Sequence, residues 1–236
     1  MLKLNTFSIT ARCPRTGQFG VAVSTAVPCV GSLVPHVRSG VGAVATQSFV
    51  NVYLGIWGIE YLAQGLSADE TLRRLAERDS DPAKRQFAVV DRHGRSAAYT
   101  GAECDGWCGH LIAENVAIAG NMLVGEATLT AMRDAFQSSA GEPLADRLLR
   151  SLEAGQAAGG DKRGKQSAAI YVVDTEDYAM VDIRVDEHTD PVAELRRIYT
   201  VAQQKLFPLT RMMPTKANPR GNYDIEEARR TGILQD

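Results

Sequence analysis

The sequence predicts an α+β fold: a four-layer αββα sandwich in which two antiparallel sheets face each other and helix pairs cover the outer sides. Three observations predict it. Short β-branched runs with turn residues between them fill the first fifty positions, helical spacing comes in two separate pairs, and each pair is followed by further strands. Simple alternation of strand and helix would give a doubly wound parallel sheet, whereas paired helices between strand groups bury every apolar face in a double sheet.

Thr6 to Cys13 and Phe19 to Thr25 read as strands around the turn Pro14-Arg15-Thr16-Gly17, and Val41 to Gln47 reads as another. From Tyr53, the residues Leu54, Trp57, Tyr61 and Leu62 share one helical side. Gly65 interrupts that helix, and the capping box Ser67-Ala68-Asp69-Glu70 opens a second. Phe87 to Asp91, the turn Arg92-His93-Gly94-Arg95 and Ser96 to Thr100 form a predicted hairpin, and Asn115 to Ala119 adds a strand. Glu126 to Ser138 and Pro143 to Ala158 make the second helix pair, with Leu144, Leu148, Leu149 and Leu152 on one stripe. Strands Ser167 to Val173 and Ala179 to Val185 follow. Asp190-Pro191 then opens a last helix with an N-cap and a proline at its first position. The expected division is a domain over 1–206 and an extended tail over 207–236, where Pro208, Pro214 and Pro219 break any periodicity.

With 236 residues, 44% of them hydrophobic and 23% charged, the chain suffices for one substantial core. Its 26 Lys and Arg against 28 Asp and Glu leave a formal charge of -2, which offers no broad attraction to a nucleic acid or an anionic membrane. No basic segment leads into an apolar run at the N-terminus, and no stretch approaches bilayer-spanning length, so a cytoplasmic protein without a membrane partner is expected. Cys13, Cys29, Cys104 and Cys108 are then expected as reduced thiols. A thirty-residue tail has little reason to order alone, and this suggests a homo-oligomer, most simply a two-fold dimer.

Several residues invite chemistry. Cys104 and Cys108 with His110 resemble a metal site only loosely, because the spacing is wrong and no second CxxC exists; neither a metal nor another cofactor is expected. Gly159 to Gln166 nearly matches a phosphate-binding loop, but it follows a helix and opens a strand, so no helix N-terminus faces a phosphate. Gln47 and Asn51 flank a strand-to-helix transition. They could orient a substrate amide, since each offers a donor and an acceptor, or cap the helix. Arg85 could pair with a substrate carboxylate, and His110, in a loop with Asp105, could act as acid or base near neutrality.

Thr6 to Arg12, Gly42 to Gln47, Trp107-Cys108-Gly109-His110, Ala119 to Leu123, Ala158 to Gly164 and Asp190 to Arg196 together resemble the family called domain of unknown function 1028, over roughly residues 6 to 200. The resemblance implies a fold of the N-terminal-nucleophile hydrolase type and no particular substrate. It implies that Thr6 is the nucleophile, activated by its own α-amine, with Arg38 beside it as an electrostatic aid. It further implies oxyanion donors at Asn121 and at the backbone around Ser48 and Phe49, and support from Asp161 and Ser167. Thr6 is preceded by Met1 to Asn5, so this chemistry requires their removal, whereas Ser8 would need a separate base. The functional expectation is a hydrolase of small amide or peptide-like substrates. The alternative is a non-catalytic small-ligand binder or oligomeric scaffold on the same fold.

Overall fold

The computed structural model describes residues 3–4, 6–230 and 232. The chain divides into two compact units, residues 1–195 and 196–236.

In the first unit, β1 (Lys3–Leu4), β4 (Pro35–Arg38), β5 (Gly42–Phe49), β6 (Arg85–Asp91) and β7 (Ser96–Thr100) form one antiparallel sheet. Its path is β1-β5-β6-β7, and β4 also pairs with β5. The other sheet runs β11-β10-β3-β2-β9-β8, built from β2 (Thr6–Arg12), β3 (Phe19–Thr25), β8 (Trp107–Ala113), β9 (Val116–Leu123), β10 (Ser167–Val173) and β11 (Ala179–Val185). Helices α1 (Val52–Ala63) and α2 (Ala68–Arg78) cover the first sheet, and α3 (Ala127–Ser138) and α4 (Leu144–Ala157) cover the second. The four-layer αββα sandwich predicted from element order is therefore the fold.

Side-chain alternation along the strands builds three layers of core. Phe19, Val21 and Val23 of β3 meet Ala43, Ala45, Ala88 and Val90 between the sheets. The intervening residues Val44, Phe87 and Val89 point outward to Leu54, Leu62 and Leu75 of the first helix pair. Phe7 of β2 points the other way, toward Gly155 of α4, where a Cβ would lie 2.7 Å from the Met132 side chain. The capping box is present: the Ser67 hydroxyl accepts the Glu70 N–H at 3.2 Å, and the Glu70 carboxylate accepts the Ser67 N–H at 2.9 Å. Asp91 ties that helix start to the β6–β7 hairpin, accepting the N–H groups of Ala68, His93 and Arg95.

Three strands escaped the sequence pattern: β1, which is only two residues long, β4 and β8. β4 is a short edge strand that begins at a proline, and β8 alternates poorly because most of it is half-buried or exposed. His110 consequently lies in a strand, not in a loop, and Ser48 and Phe49 end β5 instead of opening a helix. α5 (Pro191–Lys205) starts at the predicted proline. Within the segment expected to be extended, α6 (Phe207–Thr210) and α7 (Ile225–Arg230) are helical; α6 tolerates Pro208 because it sits in the first helical turn, where a missing N–H costs nothing. Asn218 closes a turn nearby, donating to Gly221 O at 3.0 Å and Asn222 Oδ1 at 2.8 Å. Among the described residues, no helix is long and apolar enough to cross a membrane.

Candidate functional site

One end of the inter-sheet layer is polar. Thr6, Ser8, Thr25, Gln47, Gln86 and Asn121 are all buried there, although their neighbours along the same strands are apolar. Burying so many polar groups is costly unless each is bonded, so their partners decide what the site can do.

Gln86 is the centre. Its Nε2 faces the main-chain carbonyls of Gly109 and Gly120, at 3.0 and 2.8 Å, and the Thr100 hydroxyl at 3.0 Å. Carbonyls only accept, so the amide end of Gln86 must point toward them and its Oε1 must point away. That oxygen accepts Gln47 Nε2 at 2.8 Å and Asn121 Nδ2 at 2.9 Å. Gln47 and Asn121 are thereby oriented too, and their oxygens, Oε1 and Oδ1, are buried without a partner among the described residues, as is Ser8 Oγ. Flipping either amide would set oxygen against oxygen at Gln86. Asn121 thus presents an unpartnered acceptor, which suits a substrate N–H better than the oxyanion expected from the sequence. From Gln86 the network runs outward through Thr100 to His110 Nδ1 at 2.9 Å, and partial burial lowers the His110 pKa.

Thr6 opens β2, a central strand, and is fully buried. Its carbonyl accepts a long 3.4 Å contact from Gln47 Nε2, and its hydroxyl lies 3.4 Å from that of Thr25, its cross-strand partner. Just upstream, β1 pairs Lys3 with Phe49 and Leu4 with Ser48, so the chain crosses from one sheet to the other immediately before Thr6.

The supporting residues inferred for Thr6 have other duties. Ser167 aligns with Thr25, two strand spacings from Thr6 or roughly 10 Å. Its hydroxyl donates to Val27 O at 2.6 Å and accepts Val30 N–H at 3.1 Å. Asp161 accepts the Ala26 N–H at 3.2 Å and is paired with Arg163 at 2.9 Å. Both residues hold the turn after β3. The structure does not bring Arg38 to Thr6: it pairs with Gly42, whereas Thr6 meets Gln47, roughly 16 Å farther along β5. A spacing of 32 residues in sequence says nothing about which end of a strand a residue reaches.

The first-helix candidates are also structural. Asn51 is the N-cap of α1, accepting the Tyr53 N–H at 3.1 Å, and donates to Asp79 at 2.7 Å. Arg85 is buried against Asp79 at 3.0 Å and donates to Phe49 O at 2.6 Å, so its guanidinium is committed. Ser48, at a left-handed φ of 71°, is paired in the strand ladder with Leu4 and Arg85, and its side chain meets the Cys104 thiol. Burial raises the pKa of Cys104 and of Cys108, so neither thiol is activated. Among the described residues, no three His, Cys, Asp or Glu side chains gather as a metal site.

Gln86 was missed in the sequence because the strand was read from Phe87, two positions after its start at Arg85. A polar residue at an inward-facing strand position was the available signal. Thr25 and Thr100, which extend the network, carry no local signature.

Fold and site together define an α+β sandwich protein with a buried carboxamide cluster between its sheets. The model for a family of unknown function, DUF1028, matches residues 6–195, and the chain belongs to that family. The crystal structure of the DUF1028 protein SPO2555 from Silicibacter pomeroyi is 30% identical, covers 93% of this chain and 100% of its own, and superimposes with a TM-score of 0.86. Anbu, an ancestral β-subunit from Yersinia bercovieri, is 11% identical over 89% of this chain and 98% of its own, at a TM-score of 0.39. No curated protein matches.

Proposed function

We propose that this chain is the precursor of a hydrolase of the N-terminal-nucleophile type, acting on a small amide or peptide-like substrate through Thr6 once residues 1–5 are removed. The observation that carries the proposal is the position of Thr6. It begins a central strand at the polar end of the inter-sheet layer, directly after the crossing from β1. Removal of the preceding residues frees an α-amine with an unperturbed pKa of about 7.7–8.0, able to take the hydroxyl proton at working pH. Thr6 Oγ then attacks the amide carbonyl carbon, the C–N bond breaks, and the amine leaves with that proton. Water hydrolyses the resulting ester and restores Thr6. Gln47 Oε1 and Asn121 Oδ1 would accept substrate N–H groups and set its orientation.

A second reading is favoured by those same unpartnered oxygens: in the intact chain they would serve a non-catalytic binder. Intact-mass spectrometry with N-terminal sequencing on protein aged at neutral pH separates the two. A chain that comes to begin at Thr6 in the wild type but not in Thr6→Ala supports the hydrolase. A stable Met1 start in both removes Thr6 as the nucleophile and leaves the binder.

A further inference from the structure

A groove lies away from this site. About 650 Å³ in volume, it runs beside the edge strand β4, bounded by α1 and the β10–β11 hairpin. Pockets of this size suit small molecules.

Its polar groups are of four kinds. Arg38 and Glu60 both line the groove, and neither side chain has a hydrogen bond or ion pair among the described residues, so the two charges do not neutralise each other. The His36 ring lies against α1 where Gly55 has no side chain; a Cβ there would come within 2.1 Å of Nδ1. Val34 O, 3.2 Å away, can only accept, so it holds the proton on Nδ1 and leaves Nε2 as the acceptor. Burial lowers the His36 pKa and keeps the ring neutral. Tyr171 supplies a phenol that burial keeps protonated. Asp177, on the rim, makes an interaction of its own. Ile56 and Ile59 give the groove an apolar wall from α1.

We propose that this groove binds a free α-amino acid with an aliphatic side chain. Its carboxylate meets the donors Arg38 and Tyr171, its ammonium meets the acceptors Glu60 and His36 Nε2, and its side chain rests on Ile56 and Ile59. A ligand with one charge would pair with only one of Arg38 and Glu60 and leave the other to water. The zwitterion satisfies both.

The test is calorimetric titration of the full chain with L-leucine, 4-methylpentanoate, which lacks the ammonium, and 3-methylbutylamine, which lacks the carboxylate. Leucine should bind saturably, and each analogue about tenfold more weakly. Arg38→Gln should weaken leucine to the level of the amine while leaving the amine unchanged, and Glu60→Gln should do the same toward the acid. Both side chains are exposed, so the fold should survive, and circular dichroism checks that it does. Absence of saturable leucine binding to the wild type, or equal leucine affinity in wild type and both variants, overturns the proposal. None of these residues belongs to the Thr6 site, so the outcome is independent of the hydrolase reading.

Discussion

Replacing Gln86 by leucine tests whether the carboxamide cluster is a cooperative unit. Leucine is similar in size and leaves little cavity, so the effect is that of lost hydrogen bonds. Gln47 Nε2 loses its 2.8 Å bond and retains only the 3.4 Å contact to Thr6 O, and Asn121 Nδ2 loses its 2.9 Å bond. Both residues are buried, so water does not replace the missing acceptor. An orphaned buried donor costs about 1–3 kcal/mol, and two put the expected loss at about 2–6 kcal/mol, a large share of a stability of about 5–15 kcal/mol. Urea unfolding reads it directly: the midpoint should fall with an unchanged slope. Adding Asn121→Leu removes one orphaned donor along with the acceptor it lost, so the double variant should be more stable than the sum of the single losses implies. A loss below about 1 kcal/mol for Gln86→Leu, or strict additivity in the double variant, would refute the assigned amide orientations.

Three further outcomes follow from the same physical terms. Arg85→Met leaves the Asp79 carboxylate buried without its cation, and should cost about 3–5 kcal/mol in urea unfolding. Burial alone would raise the Asp79 pKa, but the bonds from Asn51, Asp81 N–H and Arg85 outweigh it and hold the carboxyl below its ordinary value. That contribution is complete above the unfolded pKa of about 3.9 and is lost as pH falls through the lower folded value, so Asp79→Asn should flatten the acid limb of a stability–pH curve. Gly55→Ala drives a Cβ into the His36 ring and should cost about 1–3 kcal/mol, most of it recovered by adding His36→Ala, as thermal melts would show.

The layers were legible because they follow local rules. The capping box at Ser67, the β6–β7 hairpin with Gly94 at a φ of 83°, and the leucine stripe on α4 each announce themselves within a few residues. Thr6 and Asn121 were expected at the site through the family resemblance, and Gln47 through its place before a helix; the structure puts all three at one end of the inter-sheet layer. What joins Gln47 to Gln86 and Asn121 is the register of β5 on β6 and the facing of two sheets, contacts 35 or more residues apart that no local pattern encodes. The same limit explains Arg38 and Arg85. Their charges were evident, but the partner that commits one and the distance that removes the other are properties of topology.

The two ends of the inter-sheet layer differ in chemistry. At one end β3, β5 and β6 contribute valine and alanine, with Thr10 of β2 as a lone buried hydroxyl opposite Val21. At the other, the same β5 and β6 turn to glutamine, and β2 and β9 to threonine, serine and asparagine, with full burial retained. Stability alone would favour apolar side chains throughout, since a half-satisfied polar network is worse than none. Here the side-chain amide N–H groups find acceptors within the cluster, and what lacks a partner among the described residues is the oxygens of Gln47 and Asn121 and the Ser8 hydroxyl. That asymmetry is expected of a site completed by a molecule bringing N–H or O–H groups, and it is harder to reconcile with a layer that serves only to hold two sheets together.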